Sequence, residues 1–557
     1  MKAWRHHVLL VGFIGLAVTL AGRVGYLAVT ERDFLQKQGN ARSVRTETSP
    51  AHRGGIYDRR GEPLALSTPV SAVWTDPSQG QFKPGQVARI ADVLAMDAAD
   101  LQANLAAAAD REFVFIKRRV APAAVAALRE LGIAGLHFRD EYRRFYPSAE
   151  SSAHVVGKTG SEDIGQEGIE LAFDDRLRGR PGAKRVLKNR RGDIISTLDY
   201  LSPPRHGQDL TLSIDLRLQY FAYRELKSAV AGQSAAAASL VLLDARTGEV
   251  LALANEPSYN PNEPQTGDYR GKRNLAVTDT YEPGSTIKPF TMLAALESGD
   301  YGPDSLIDTA PGYFHIGRKL IQDPGNRGAI SLATALQKSS QVAIAKLALA
   351  LDERAVFDVL VRAGVGEYIG TGLPGEASGF LSDAGLARPL DRATMAYGYG
   401  LSVSPLQLAQ SYLTVASGGR RIPVSILKRD AVHPGERVFS ERASRQVLEM
   451  MELVTHDAGT APKARIPNYR IAGKTGTARK LVNGRYDDQR HVALFVGVAP
   501  VSDPRIVMVV VVDEPGTKAT GGGAAAAPIF SRVGERALRL LGVVPDAPML
   551  VAGAADS

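Results

Sequence analysis

With 557 residues, 44% of them hydrophobic and 23% charged, the chain has room for two or three domains and a globular composition. A small binding module, wholesale disorder and a multi-span transporter are excluded. The net charge of +8 is spread without a long basic run, which argues against nucleic acid as a partner, and the lack of cysteine excludes disulfides, zinc-thiolate sites and iron–sulfur clusters. The histidines form no His-Glu-x-x-His pattern, so neither a metal nor a cofactor is expected.

Lys2 and Arg5 precede an apolar run over 8–29, long enough at about 1.5 Å per residue to cross the roughly 30 Å hydrocarbon core of a bilayer. Arg23 lies near the far end, where its stem can reach the headgroups. A cleaved signal peptide shares the basic start and the small residues Ala21-Gly22, but the apolar character continues past them and favours an uncleaved anchor. The positive N-terminal side then sets 1–7 in the cytoplasm and the body beyond about residue 30 outside it. From Glu31 to Pro204 the composition is mixed. It includes the turn-rich Arg53-Gly54-Gly55-Ile56-Tyr57-Asp58-Arg59-Arg60-Gly61 and an alanine-rich, mostly helical stretch over 91–131.

Leu201-Ser202-Pro203-Pro204 reads as a linker, 208–214 as a strand and 216–230 as a helix, so a new domain begins near Gly207. Within it, 239–244 and 248–253 form one predicted hairpin, 491–498 and 506–512 a second, and 285–460 is largely helical in pattern. Strands, then helices, then strands predict an α/β sandwich whose sheet is completed by both ends of the domain. The run from Gly521 to Ala527 reads as short and flexible, and the tail after Pro545 has little to pack.

The chemistry centres on Glu282-Pro283-Gly284-Ser285-Thr286-Ile287-Lys288-Pro289. A helix starting near Ser285 tolerates Pro289, because first-turn N–H groups have no intrahelical partner to lose. Ser285 and Lys288 then share one face. A serine hydroxyl needs an adjacent base, and a lysine that is desolvated or crowded by another cation can be that base. The helix start also aims N–H groups at a developing oxyanion. The spacing alone is weak, arising about once by chance in such a chain, and Ser425-Ile426-Leu427-Lys428 repeats it in a strand-like segment with no helix start.

Gly473-Lys474-Thr475-Gly476-Thr477 follows an apparent strand over 469–472 and could set a cation beside the serine; a phosphate-binding loop would need glycine where Asn468 stands. A second Lys-Thr-Gly, at Lys158-Thr159-Gly160, precedes Ser285 and reads as coincidence. Between Ser285 and Lys474 no strict Ser-x-Asn occurs. The best candidate is Ser339-Ser340-Gln341, which reads equally as a polar helix N-terminus. Gln offers the donors and acceptor of Asn on one more methylene, so its amide sits roughly an ångström away or on another rotamer.

Ser285, a Ser-x-amide element and Lys-Thr-Gly, in that order, resemble the penicillin-binding proteins and serine β-lactamases. Together with Arg53-Gly54 to Asp58-Arg59, Pro63-Leu64-Ala65, Gln166-Glu167-Gly168-Ile169-Glu170 and Tyr397-Gly398-Tyr399-Gly400, they make the sequence similar to class B penicillin-binding proteins of the division-specific FtsI type. The resemblance implies an α/β transpeptidase domain at 207–545, its sheet flanked by helices, on an elongated α+β pedestal at 45–205. One transmembrane helix would lie at 8–29 and a flexible tail at 546–557. It implies that Ser285 attacks the D-Ala-D-Ala bond of a peptidoglycan stem peptide with Lys288 as base, Ser339 as proton relay and Lys474 nearby. Backbone N–H groups of Ser285 and Thr477 would form the oxyanion hole. Thr475 and Thr477 would hold the substrate carboxylate beside Gly476, and Gln341 would stand where the family's substrate-amide ligand belongs. β-Lactams would be covalent inhibitors. An FtsW-type glycan polymerase and other division proteins would be partners at the cytoplasmic membrane, with the catalytic body in the periplasm. The alternatives are an elongation-specific relative, a hydrolase of the same superfamily, or a division scaffold or β-lactam receptor that has lost turnover.

Overall fold

The computed structural model describes residues 3–547 except 81, 161, 190–193, 264–269, 483–484 and 517–520; the expected flexible tail lies outside the described residues from 548 onward. The chain groups into two compact units.

The first unit comprises Met1–Gly54, Ser67–Arg143 and Arg178–Gln208. Its helix Ala3–Val29 is apolar over Trp4–Val29, with a mean hydropathy of 2.0, and fits a single-pass membrane anchor. The helix Arg32–Ser43 follows, then an antiparallel sheet in which Gly182–Lys188 lies between Val44–Ser49 and Ile194–Ser202. A small core built on Val73, Val87, Ile90, Leu101 and Leu128 joins the helices Pro84–Val93, Ala98–Ala107 and Pro122–Glu130. The strand Val114–Val120 interrupts the stretch expected to be mostly helical. Its β-branched and aromatic residues pair Phe115 with Trp74 and Val114 with Thr75, and that cross-strand packing overrides the alanine-rich surroundings.

The second unit comprises Gly55–Leu66, Arg144–Leu177 and Asp209–Ser557. Its sheet is formed by β1 (Ala237–Asp244), β2 (Val250–Glu256), β3 (Ala472–Val482), β4 (Arg485–Ala499) and β5 (Ile506–Asp513), antiparallel throughout in the order β2-β1-β5-β4-β3. Both ends of the domain therefore complete one sheet, as expected, and both predicted hairpins are present. β1 and β5 are continuous apolar runs because they are buried on both faces. The helices α1 (Leu216–Gln233) and α7 (Ala527–Leu540) pack on each other and on the sheet. Between the hairpins lie α2 (Lys288–Ser298), α3 (Leu332–Gln337), α4 (Gln341–Ala350), α5 (Pro405–Ala416) and α6 (Glu441–Glu452). Every residue of α5 is buried, and the helix packs on β1 and β5.

Four local expectations change. The strand over 208–214 shrinks to Leu210–Thr211, parallel to Ile56–Tyr57, because the ladder ends just beyond it: Leu212 N–H still goes to Tyr57 O, but Ser213 N–H goes to Ile426 O. The helical region 285–460 carries short strands, including the hairpin Tyr313–Ile316 with Lys319–Gln322. The apparent strand over 469–472 follows a turn closed between Ile466 and Tyr469, with Asn468 at φ +66°, and only its last residue is in the strand proper, which starts at Ala472. The glycine run is an ordered turn, Gly522–Ala525. A Cβ at Gly522 would lie 2.0 Å from Leu494 O and one at Gly523 2.2 Å from Thr460 O, so glycine here serves close packing rather than freedom.

The turn-rich segment is structural as well. The buried Asp58 carboxylate accepts from the backbone N–H groups of Arg60 (2.7 Å), Glu62 (2.8 Å) and Leu216 (3.0 Å), and Arg59 pairs with the buried Glu249 at 3.2 Å. Glu170 forms a buried ion pair with Arg144 at 2.6 Å.

Candidate active site

Three chain segments meet at the edge strand β3. The first is the 3-10 turn Gly284–Ile287, which carries Ser285 and runs directly into α2, with Lys288 as first residue and Pro289 in the first turn. The helix expected near Ser285 thus opens with one tighter turn. That turn is clamped from several sides: Gly284, at φ +52°, donates to Gly398 O at 3.0 Å, and the hydroxyl of buried Tyr412 donates to Thr286 O at 2.6 Å. Gly398 sits at φ +89°, where a Cβ would lie 2.0 Å from Gly284 O, so the Tyr-Gly-Tyr-Gly element is a backbone clamp beneath Ser285.

The second segment is the junction of α3 and α4. Ser339 takes φ +54°, left-handed and uncommon for serine. Ser340 then caps α4, its hydroxyl accepting from Ala343 N–H at 3.0 Å. Asp323 holds the junction from outside, accepting from Ser340 Oγ at 2.5 Å and from Gln341 N–H at 2.6 Å. The third segment is Lys474-Thr475-Gly476-Thr477 within β3, whose inner neighbour is β4. A Cβ at Gly476 would come within 2.9 Å of Pro283 O, so glycine lets the strand approach the Ser285 turn.

Both lysines are buried and converge on one hydroxyl. Lys288 Nζ lies 3.1 Å from Ser339 Oγ and 2.5 Å from Ser339 O, while Lys474 Nζ lies 3.1 Å from the same Oγ and 3.1 Å from Thr475 O. Desolvation pulls the Lys288 ammonium down to about 7, with the Asp323 carboxylate working the other way. Desolvation and the neighbouring Lys288 charge hold Lys474 well below the usual lysine range. Lys288, with its pKa lowered to about 7, can take up a proton near neutral pH and pass it on through the Ser339 hydroxyl, which Lys474 also contacts.

Ser285, Ser339, Gln341, Thr475 and Thr477 line one cleft of about 790 Å³. Thr475 Oγ1 is 2.8 Å from Thr460 Oγ1, and Thr477 Oγ1 accepts from Gly522 N–H at 3.4 Å. Of the eight residues singled out in the sequence, five line the cleft, Lys288 and Lys474 reach it through Ser339 Oγ, and Gly476 lies between Thr475 and Thr477 in β3. Asp323, Thr460 and the Gly521–Gly523 wall escaped sequence reasoning: each comes from a turn or loop, and only their distant contacts mark them out. The rival motifs stay apart. Ser425 Oγ donates to Leu427 O while Lys428 Nζ donates to Arg59 O, and Lys158 pairs with Glu167 at 3.7 Å.

A serine at a helix start, with two desolvated lysines and an edge strand beside it, is an arrangement suited to serine acyl transfer. The family described as penicillin binding protein transpeptidase domain matches residues 238–535, and the penicillin-binding protein dimerisation domain matches 48–212; the chain belongs to the penicillin-binding protein transpeptidase family. Its relatives narrow the type. The chain is 42% identical to the peptidoglycan D,D-transpeptidase FtsI of Escherichia coli K12, over 98% of its own length and 93% of that protein's. It is 38% identical to the probable peptidoglycan D,D-transpeptidase PbpC of Pseudomonas aeruginosa, over 98% and 96%. Among solved structures, the transpeptidase domain of Burkholderia pseudomallei penicillin-binding protein 3 aligns at a TM-score of 0.56 and 40% identity, covering 60% of this chain and 98% of that one.

Proposed function

We propose that the protein is a membrane-anchored, division-type peptidoglycan D,D-transpeptidase in which Ser285 is the nucleophile and Lys288 its base. Neutral Lys288 accepts the Ser285 proton as Oγ attacks the carbonyl of the penultimate D-Ala of a donor stem peptide. The backbone N–H groups of Ser285 and Thr477 stabilise the oxyanion. The C–N bond then breaks, and the departing D-Ala amine takes a proton passed through the Ser339 hydroxyl from the lysine pair. An amine of a neighbouring stem peptide attacks the resulting ester, loses its proton along the same path, and leaves a cross-link and free Ser285.

The Thr475 and Thr477 hydroxyls hold the donor carboxylate, the Gln341 amide meets the donor backbone, and the free edge of β3 beside Gly476 receives the extended peptide. A β-lactam enters the same step, but its leaving group stays tethered and the acyl-enzyme persists. The single observation that carries the reading is the convergence of Lys288 and Lys474 on Ser339 Oγ, each at 3.1 Å, in the cleft that Ser285 lines. In sequence the pedestal spans 45–205 and the transpeptidase domain 207–545, although Gly55–Leu66 and Arg144–Leu177 group with the second compact unit. The 42% identity to FtsI supports a septal role, a periplasmic catalytic body and an FtsW-type glycan polymerase as partner.

The test uses the full chain in detergent with a fluorescent penicillin and intact-mass spectrometry. The expected result is one long-lived adduct on Ser285 that is absent in Ser285→Ala. Rapid loss of the adduct to water would favour a hydrolase, and no adduct on folded protein would overturn the assignment.

A further inference from the structure

The donor that the proposed reaction consumes ends in a carboxylate, as do β-lactams, and the wall that would receive it supplies hydroxyls rather than charge. Thr475 and Thr477 can donate hydrogen bonds, but a carboxylate taken from water into a cleft is costly without a cation. Lys474 is a poor candidate for that cation. Its Nζ is fully buried and spent on Ser339 Oγ and Thr475 O, and burial beside Lys288 disfavours its charged form. Lys338 also lines the cleft, but its ammonium donates to Ala458 O at 2.7 Å. Asp323, the carboxylate in the cleft wall, is engaged by Ser340 Oγ and Gln341 N–H.

Lys463 remains. It lines the same cleft as Thr460, Thr475 and Thr477, is exposed, and has no hydrogen-bond or ion-pair partner among the described residues. Its backbone is fixed although its side chain is free. It lies in the 3-10 turn Pro462–Ala464, where Ala464 N–H donates to Ala461 O at 3.0 Å. Arg465 next to it donates to Thr455 O at 2.8 Å and pairs with the exposed Asp457 at 2.6 Å. Thr460, three residues before Lys463, meets Thr475 at 2.8 Å, which ties this turn to the strand that carries the hydroxyls.

Resting on the transpeptidase reading above, we propose that Lys463 is the cationic contact for the terminal carboxylate of the donor peptide, completing a site whose hydroxyls come from Thr475 and Thr477. An exposed lysine is a modest anchor when solvent screens it and a stronger one once a ligand fills the cleft, so its worth is about three- to ten-fold in donor discrimination.

The test compares two thioester donors that differ only in the terminal group, a carboxylate in one and its carboxamide in the other, by acylation of Ser285 in the full chain. Lys463→Gln is expected to lower the acid-to-amide rate ratio about three- to ten-fold at low salt, with the effect fading at high salt, and Lys463→Arg to restore the ratio. An unchanged ratio, or an equal loss with both donors, overturns the proposal and leaves the turn a structural role. Failure of the wild type to acquire any Ser285 adduct from penicillin would instead sink the transpeptidase reading itself.

Discussion

If Lys288 is the base for Ser285, acylation follows its neutral form, and the shape of the pH profile reports how far burial has moved it. With a midpoint at about 7, roughly a tenth of the enzyme is competent at pH 6 and nine-tenths at pH 8. The acylation rate constant should therefore climb about ten-fold over that interval and level off. A lysine left at its ordinary 10.5 would give about a hundred-fold rise over the same two pH units, with no plateau below pH 10. Because Lys474 shares the Ser339 hydroxyl, the midpoint belongs to the pair.

The same displacement has a cost. The folded state binds the Lys288 proton less tightly than the unfolded chain does, so stability is lowest below pH 7 and recovers as pH rises from about 7 toward 10.5. The full difference is on the order of 5 kcal/mol. Lys288→Met removes base and cost together: it should melt at a higher temperature at pH 6.5 while losing acylation. Stopped-flow acylation by a chromogenic cephalosporin between pH 5.5 and 9.5, with calorimetry on both proteins, measures each half. A rate that is flat from pH 6 to 8, or that climbs a hundred-fold across that range, would refute the depressed-lysine argument.

Asp323→Asn withdraws the charge that favours protonated Lys288, so the acylation midpoint should fall below that of the wild type; the weaker cap on α4 costs about 1 kcal/mol in chemical denaturation. A midpoint that moves upward would contradict the cause assigned to it. Gln341→Asn shortens a side chain that lines the cleft, and acylation by penicillin should rise about two- to ten-fold, the worth of one well-placed hydrogen bond; a fall would mean that the surrounding cleft is built for Gln. Glu170→Ala leaves Arg144 buried without its carboxylate and should destabilise the fold by about 3–5 kcal/mol. The protein that remains folded should label with penicillin at the wild-type rate, which separates this motif from the chemistry.

The residues legible in the sequence are those whose spacing is local. Ser285 with Lys288 needs one helical turn, and Lys474 through Thr477 needs one strand, so each is visible in a few letters. β1 and β5 were visible because burial on both faces leaves an unbroken apolar run. What could not be read was supplied across the fold. Asp323 looks like any turn residue in Asp-Pro-Gly until its carboxylate meets the start of α4. Thr460 carries no pattern until its hydroxyl meets Thr475. The strand at Val114–Val120 hid in alanine-rich surroundings because its pairing partner, Ser71–Thr75, lies some 40 residues earlier in the chain.

The departure at Gln341 illustrates the division between backbone and side chain. The two lysines are referred to Ser339 through its hydroxyl and its carbonyl, and Ser339 is held by its left-handed backbone together with the Ser340 cap and the Asp323 carboxylate. Among the described residues, Gln341 enters that arrangement through its backbone N–H, which donates to Asp323, and any residue but proline can do the same. The extra methylene therefore acts where the side chain faces the cleft. In this geometry Gln341 can alter how a donor or an antibiotic is held without moving the proton path, so exchanging it for Asn should change the height of the pH profile and leave its midpoint in place.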